Sequence, residues 1–239
     1  MLTHSFEDLA QTFRVLVEAH LKFNKLIIID RAEAVGTLET AVNAILNAFH
    51  NIYDLMLQEL GGPVDWYATP ELCTILAIRN ARHHNKANRI RSIYNYHNQI
   101  CTSPTDVKRY QYVDFPSPPE EAGGDCFDVE LSWGDIDIML NLPKSESRLR
   151  NGTNQLIREY LNAEKFEQEA SNNGFSKEDI FINLTPLTLN AGIALQPYVK
   201  NHVTPGSIES EFFLEHFESI GAALTREHEY KILNFSLPE

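Results

Sequence analysis

Apolar side chains recur at helical spacing through the first hundred residues. Phe6, Leu9, Ala10, Phe13, Leu16 and Val17 lie on one stripe, and Ser5 with Asp8 has the form of a capping box, so the pattern predicts a helix from about Ser5 to Lys22. Leu26-Ile27-Ile28-Ile29 fits a short strand or a buried turn of helix equally well. The clearest pattern runs from Thr37 to Leu60, where Leu38, Val42, Ile45, Phe49, Ile52 and Met56 are spaced 4, 3, 4, 3, 4. Such a seam packs one helix against another, and Leu46, Tyr53 and Leu57 widen it to more than one side. Gly61-Gly62-Pro63 ends it. A third helix opens on Thr69 as cap, Pro70 in the first helical position and Glu71 complementing the dipole, with Leu72, Ile75, Leu76 and Ile78 on its apolar side. A fourth is predicted from Lys86 to Ile100, with Ile90, Ile93, Tyr94 and His97 on one face. Residues 1–103 thus read as a helical bundle.

Pro104, Pro116, Pro118, Pro119, Gly123 and Gly124 break the pattern, so residues 104–124 read as a linker or flap. Residues 109–113 alternate weakly and 127–131 more clearly, as a short β-hairpin would, while 116–124 reads equally as a mobile loop. Beyond Ser132 helices return, and residues 125–239 read as a mostly helical C-terminal region. The elements predicted there are 133–142, a long helix from about Ser145 to Ser171 weakened at Gly152, and one opening at Ser176 and interrupted at Pro186. Two more follow: a nearly all-apolar run from Leu187 to Val199, and an amphipathic helix from Ser207 to Ser219. The fold class is therefore mainly α, with at most a short hairpin.

Charge changes the picture. The chain has 239 residues and a formal net charge of -13, yet residues 79–109 hold seven basic side chains against one acid. An acidic protein is poorly suited to coating nucleic acid without specificity, but screening confines charge effects to roughly 10 Å, so a local phosphate site is allowed. A solvated face balancing acidic neighbours is the plainer account of such a tract. Cys73, Cys101 and Cys126 are odd in number and lack CxxC spacing, which suggests reduced thiols in a cytoplasmic protein. The polar, acidic N-terminus does not resemble a secretory signal, and no apolar run reaches the length of a membrane span, so no membrane partner is expected.

Within the tract, Arg79, Asn80 and His84 supply three side chains suited to cutting RNA without a metal. Histidine moves protons near neutrality, with an unperturbed pKa of about 6.5. Arginine grips phosphate through a planar fork, and asparagine can orient either partner or bond the RNA. On a continuous helix five positions amount to about 500°, which leaves His84 some 140° round from Arg79. Convergence then needs a bend, a helix end, or two copies of the stretch facing each other.

Arg79-Asn80-x-x-x-His84 at the end of a bundle helix resembles the signature of the HEPN (higher eukaryote and prokaryote nucleotide-binding) superfamily. The resemblance covers residues 1–103 and implies an α-helical bundle that dimerises so that two motifs form one composite site. It also implies metal-independent endoribonuclease activity, as in toxin–antitoxin and antiviral defence systems, with an antitoxin or defence-complex partner. Carried over by position, Arg79, Asn80 and His84 become the catalytic set, and Arg82, His83, Lys86, Arg89 and Arg91 become RNA contacts. No metal and no cofactor are expected. A non-catalytic nucleotide- or RNA-binding subunit of a defence complex is the alternative, with RNA or a nucleotide as its ligand.

Other features have plainer readings. His83, His84 and His97 lack a carboxylate or cysteine at ligand spacing, and His97 fits a core-facing or partner-contacting position. Tyr94, Tyr96, Tyr110 and Tyr112 could stack bases, but half-buried packing is the usual use of such rings. Asp125, Asp128, Asp135 and Asp137 match no calcium loop and read as surface acidity.

Overall fold

The structure, a computed structural model, describes residues 1–84, 90–118, 128–147 and 149–238. Helices α1 (Leu2–Leu26) and α2 (Arg31–Leu60) pack along their length and join through a four-residue connection. Asp30 sets the turn by accepting a hydrogen bond from the Glu33 amide at 2.9 Å. Leu26–Ile29 is therefore the end of α1 and the turn after it, not a strand, but the turn is not buried as expected, since Ile28 and Ile29 are exposed. Gly61, at φ 71°, closes α2 in the left-handed conformation that glycine adopts without strain.

Helix α3 (Pro70–His84) lies against α2 on one side and α9 (Leu184–Val199) on another, which is why residues 72–78 are buried without a break. Thr69 does not act as the expected side-chain cap; its hydroxyl donates to the Asp65 carbonyl at 3.0 Å. Helix α4 (Ile93–Ile100) is shorter than predicted: it starts at Ser92, whose side chain caps it, while residues 85–89 lie outside the described ones. Helix α10 (Ile208–Ser219) packs on α9 and α1. Gly192 lets it approach, since a Cβ there would stand 2.7 Å from the Phe217 ring.

The expected hairpin does not form. Residues 108–114 and 130–132 are strands β1 and β2, but neither pairs with the other. Strand β1 pairs in parallel with β3 (Ile180–Asn183) and antiparallel with β4 (Glu229–Phe235), and β2 pairs antiparallel with β3, giving the order β2-β3-β1-β4. A stretch placed in a linker by its prolines thus supplies an interior strand. Its weak alternation has a physical cause: Tyr110, Gln111, Tyr112 and Val113 are all buried, so both faces are covered. The helix expected after Ser176 is also corrected, because Ile180-Phe181-Ile182 forms buried β3 and α9 begins at Leu184, running through Pro186 in its first turn. The long helix over 145–171 is three shorter ones, α6 (Lys144–Ser147), α7 (Thr153–Tyr160) and α8 (Ala163–Asn172). They are separated at Gly152 (φ 84°) and Asn162 (φ 47°), left-handed positions that no helix passes through. Helix α5 (Trp133–Asn141) matches its prediction to one residue.

The result is a mainly α-helical fold with a small mixed sheet; the main hydrophobic core draws residues from Leu2 to Leu237, and Ile93, Tyr96, Tyr110 and Phe181 form a smaller cluster. No described helix is long and apolar enough to cross a membrane.

One carboxylate joins three helices. Glu39 of α2 pairs with Arg82 of α3 and accepts hydrogen bonds from Ser92 Oγ (2.5 Å) and Asn95 Nδ2 (2.6 Å) at the start of α4. The Arg82 and Glu39 side chains are 8 % and 18 % exposed, so their charges meet in a largely dry corner. Glu39→Ala leaves the Arg82 charge and two polar groups unanswered, and we expect it to lower the unfolding free energy by about 3 kcal/mol. Urea denaturation of both proteins checks this, and a loss near zero would mean that the corner is wetter than described.

Candidate functional site

Helices α2 and α3 share a polar ladder. Arg82 Nε donates to Asn43 Oδ1 at 2.8 Å, and Arg79 Nε donates to Asn47 Oδ1 at 3.1 Å. A step of three along α3 matches a step of four back along α2, as expected for antiparallel neighbours. Glu39, Asn43 and Asn47 were not singled out from sequence. Their spacing of four, beside the apolar seam of α2, was the available signal.

The arginines of the tract have different fates. Arg82 binds Glu39, Asn43 and the Ile90 carbonyl (2.6 Å). Arg91 grips Asp135 with its backbone amide (3.0 Å), Nε (2.8 Å) and Nη2 (2.6 Å), and its guanidinium lies over the Tyr96 ring at 4.5 Å. The Asp135 hydrogen bonds hold the Arg91 pKa above its ordinary value. Both proposed RNA contacts therefore face inward onto carboxylates. Arg79 differs: Nε meets Asn47, Nη1 meets Asn80 Oδ1 at 3.2 Å, and among the described residues no carboxylate lies within ion-pair distance. Burial lowers its pKa, and the more distant Asp54 opposes that shift.

The expected catalytic set is thus assembled in part. Arg79 and Asn80 are bonded to each other, and His84 is the last residue of α3, although its side chain, with Lys86 and Arg89, lies outside the described residues. His83 is exposed on the same last turn. His97 is a core residue: its Nδ1 meets the Tyr110 hydroxyl at 2.9 Å and its Nε2 meets the Pro104 carbonyl at 3.1 Å. Tyr96, Tyr110 and Tyr112 are buried and Tyr94 is half-buried, as the packing reading expects.

Asp135 and Asp137 are not surface acids. Asp135 is buried under Arg91, while Asp137 pairs with Arg158 (2.5 Å) and Lys177 (3.0 Å). Asp128 belongs to another cluster, at the carboxyl ends of β1 and β3, and Asp125 lies outside the described residues. There Asn183 Nδ2 donates to Asp114 Oδ1 (3.0 Å) and Asp128 Oδ1 (2.9 Å). Glu130 Oε2 and the Tyr112 hydroxyl are buried beside them without a hydrogen-bond partner, the hydroxyl near Asp128 but short of bonding geometry. Among the described residues no group of three or more His, Cys, Asp or Glu side chains is arranged to hold a metal ion. A cavity of about 450 Å³ is lined by α1, α9 and α10 and by none of the motif residues.

The chain matches no family model, no curated protein and no solved structure.

Burial pushes the Glu130 carboxyl up from 4.5 to about 7, and Asp128 and Asp114 add to the rise. Well below pH 4.5 the group is protonated whether the chain is folded or not. Between 4.5 and about 7 the unfolded chain ionises first, so folding stability falls as pH rises through this window and levels off above it. The loss is about 3 kcal/mol at one pKa unit per 1.4 kcal/mol. Glu130→Gln removes the titration, so urea melts at pH 5 and pH 8 should show a smaller difference for the variant than for the natural chain. Equal differences would place the Glu130 carboxylate in contact with water.

Proposed function

We propose that the chain is a HEPN-type endoribonuclease that cleaves RNA without a metal and works as a homodimer. The observation that carries the reading is the neutral anchoring of Arg79. Two amide oxygens fix its guanidinium, and no carboxylate cancels its charge, so its Nη2 edge remains without a protein partner among the described residues. A half-buried arginine of this kind attracts a phosphate more strongly than one in bulk water, because screening is weaker there.

In this mechanism a 2′-hydroxyl loses its proton to a histidine and attacks the adjacent phosphorus. The 5′-oxygen leaves with a proton, and a 2′,3′-cyclic phosphate remains. Arg79 offsets the added negative charge on the phosphorane, Asn80 keeps the guanidinium in place, and His84 transfers the protons. Since Arg79 and His84 diverge by about 140° on one helix, a second copy completes the proton-transfer set. A toxin or anti-phage effector is the biological role that such an activity fits.

The second reading is a non-catalytic subunit that grips a nucleotide or RNA. The inward turn of Arg82 and Arg91 favours it, because a single uncompensated arginine suffices to hold one phosphate.

Total RNA incubated with the protein in EDTA separates the two. Arg79→Ala and His84→Ala are each expected to reduce cleavage at least about 100-fold while leaving the helical circular-dichroism spectrum intact. Cleavage by both variants at the natural rate eliminates the nuclease reading.

A further inference from the structure

Beside Arg79, the outer face of α2 carries a continuous path of polar and aromatic side chains. Asn47 holds Arg79, and His50 follows one turn on, its Nδ1 meeting Asp54 Oδ2 at 3.3 Å. The His50 ring packs edge-on against Tyr53 (centroids 5.9 Å), and Tyr53 packs against Tyr67 at 6.1 Å. The path ends at Arg150, whose guanidinium lies over the Tyr67 ring at 3.8 Å. Asn47, His50, Tyr53 and Tyr67 are all partly open to solvent, and the Arg150 side chain is 56 % exposed.

Its far end is built to be rigid. Trp66 is 2 % exposed and packs against Tyr53, which ties the segment before α3 to the core. Asp65 accepts a hydrogen bond from the Tyr67 amide at 3.0 Å, and its carbonyl accepts from the Ala68 and Thr69 amides. That acid therefore shapes the turn that presents Tyr67. Its pairing with Arg150, at 3.8 Å between two exposed groups, is weak. The guanidinium centre lies within van der Waals reach of one aromatic ring, and more than half of the side chain stays open to solvent. A planar, cationic, solvent-facing surface accepts a nucleobase by stacking and a phosphate at its edge.

We infer that this path binds single-stranded RNA, with a phosphate at Arg79 and an unpaired base stacked on the Arg150–Tyr67 platform. The inference rests on the reading of Arg79 as a phosphate grip and adds the substrate class. A path along two turns of α2 and across two stacked side chains is about 20 Å long, enough for a short strand. A duplex keeps its base faces inside the stack and offers nothing to the platform.

The test is fluorescence anisotropy of the full chain with a labelled 2′-O-methyl oligouridylate of about eight nucleotides, which cannot be cleaved, against a duplex of equal length. A 2-aminopurine base in a second single strand reports stacking. Single strand is expected to bind at least about tenfold tighter than duplex and to quench the 2-aminopurine. Arg150→Ala, at an exposed side chain, is expected to weaken binding about tenfold and abolish the quench, as is Tyr67→Ala. Arg150→Lys keeps the charge without the flat face and should not restore the quench. Equal affinity for duplex, no binding of either RNA, or variants that bind and quench like the natural chain each overturn the inference. The nuclease reading fails separately: a chain that binds as described yet leaves unmodified RNA intact keeps the path and loses the catalysis.

Discussion

A carboxylate taken out of water must be answered by a cation and by hydrogen-bond donors, and at Glu39 that requirement sets the geometry of the corner where α2, α3 and α4 meet. One of its oxygens meets Arg82 and the other accepts from Ser92 and Asn95. Apolar packing alone tolerates a range of rotations of one helix about its own axis. The Glu39–Arg82 pair does not, since a turn of α3 by one position would carry the guanidinium away from its partner. The same rotation that satisfies Glu39 puts Arg79 opposite Asn47 one turn away. Placement of the candidate site is thus a consequence of a pair that lies beside it and takes no part in its chemistry.

Among the described residues, part of the linear charge asymmetry is consumed in folding. Arg82 is neutralised by Glu39 from before the tract, and Arg91 and Lys108 are paired with Asp135 and Asp179 from after it. Arg109 covers the Phe175 ring at 5.4 Å. Cations that look like a nucleic-acid footprint in sequence serve in the structure to fasten the tract to its acidic flanks. Arg82 and Arg91 are thus neither a solvated face nor free for phosphate, and among the described residues Arg79 alone of the α3 arginines keeps its charge without a carboxylate partner.

How much of this was legible depends on the range of the interactions involved. Helices α2, α3, α5 and α10 follow from local periodicity and punctuation, and each lies within a few residues of its predicted bounds, apart from the first turns of α2. The breaks at Gly152 and Asn162 were half-visible: glycine advertises a left-handed residue, while asparagine adopts one only where the surrounding fold demands it. Strand β3 was missed because four buried residues carry no alternation, and β1 was misassigned because its partners lie about 70 and 120 residues downstream, where no local pattern points to them. The candidate site was legible as a set of residue types. Its electrostatic state was not, since that depends on which arginine finds a carboxylate, and the deciding partners Glu39 and Asp135 lie far away in sequence.

The amides at positions 47 and 80 carry the remaining distinction. An aspartate at either place would hold the Arg79 guanidinium more tightly than asparagine does, by a charge-assisted bond. It would also cancel the positive charge and repel a phosphate. Asparagine orients the fork through a dipole and leaves the charge in place. Asp54, the acid that acts on Arg79, does so from beyond ion-pair distance, and its Oδ2 lies 3.3 Å from His50 Nδ1. A guanidinium fixed in direction, partly stripped of water and still cationic is what the proposed phosphate grip requires, whereas the neighbouring Arg82, equally fixed, has found its anion within the fold.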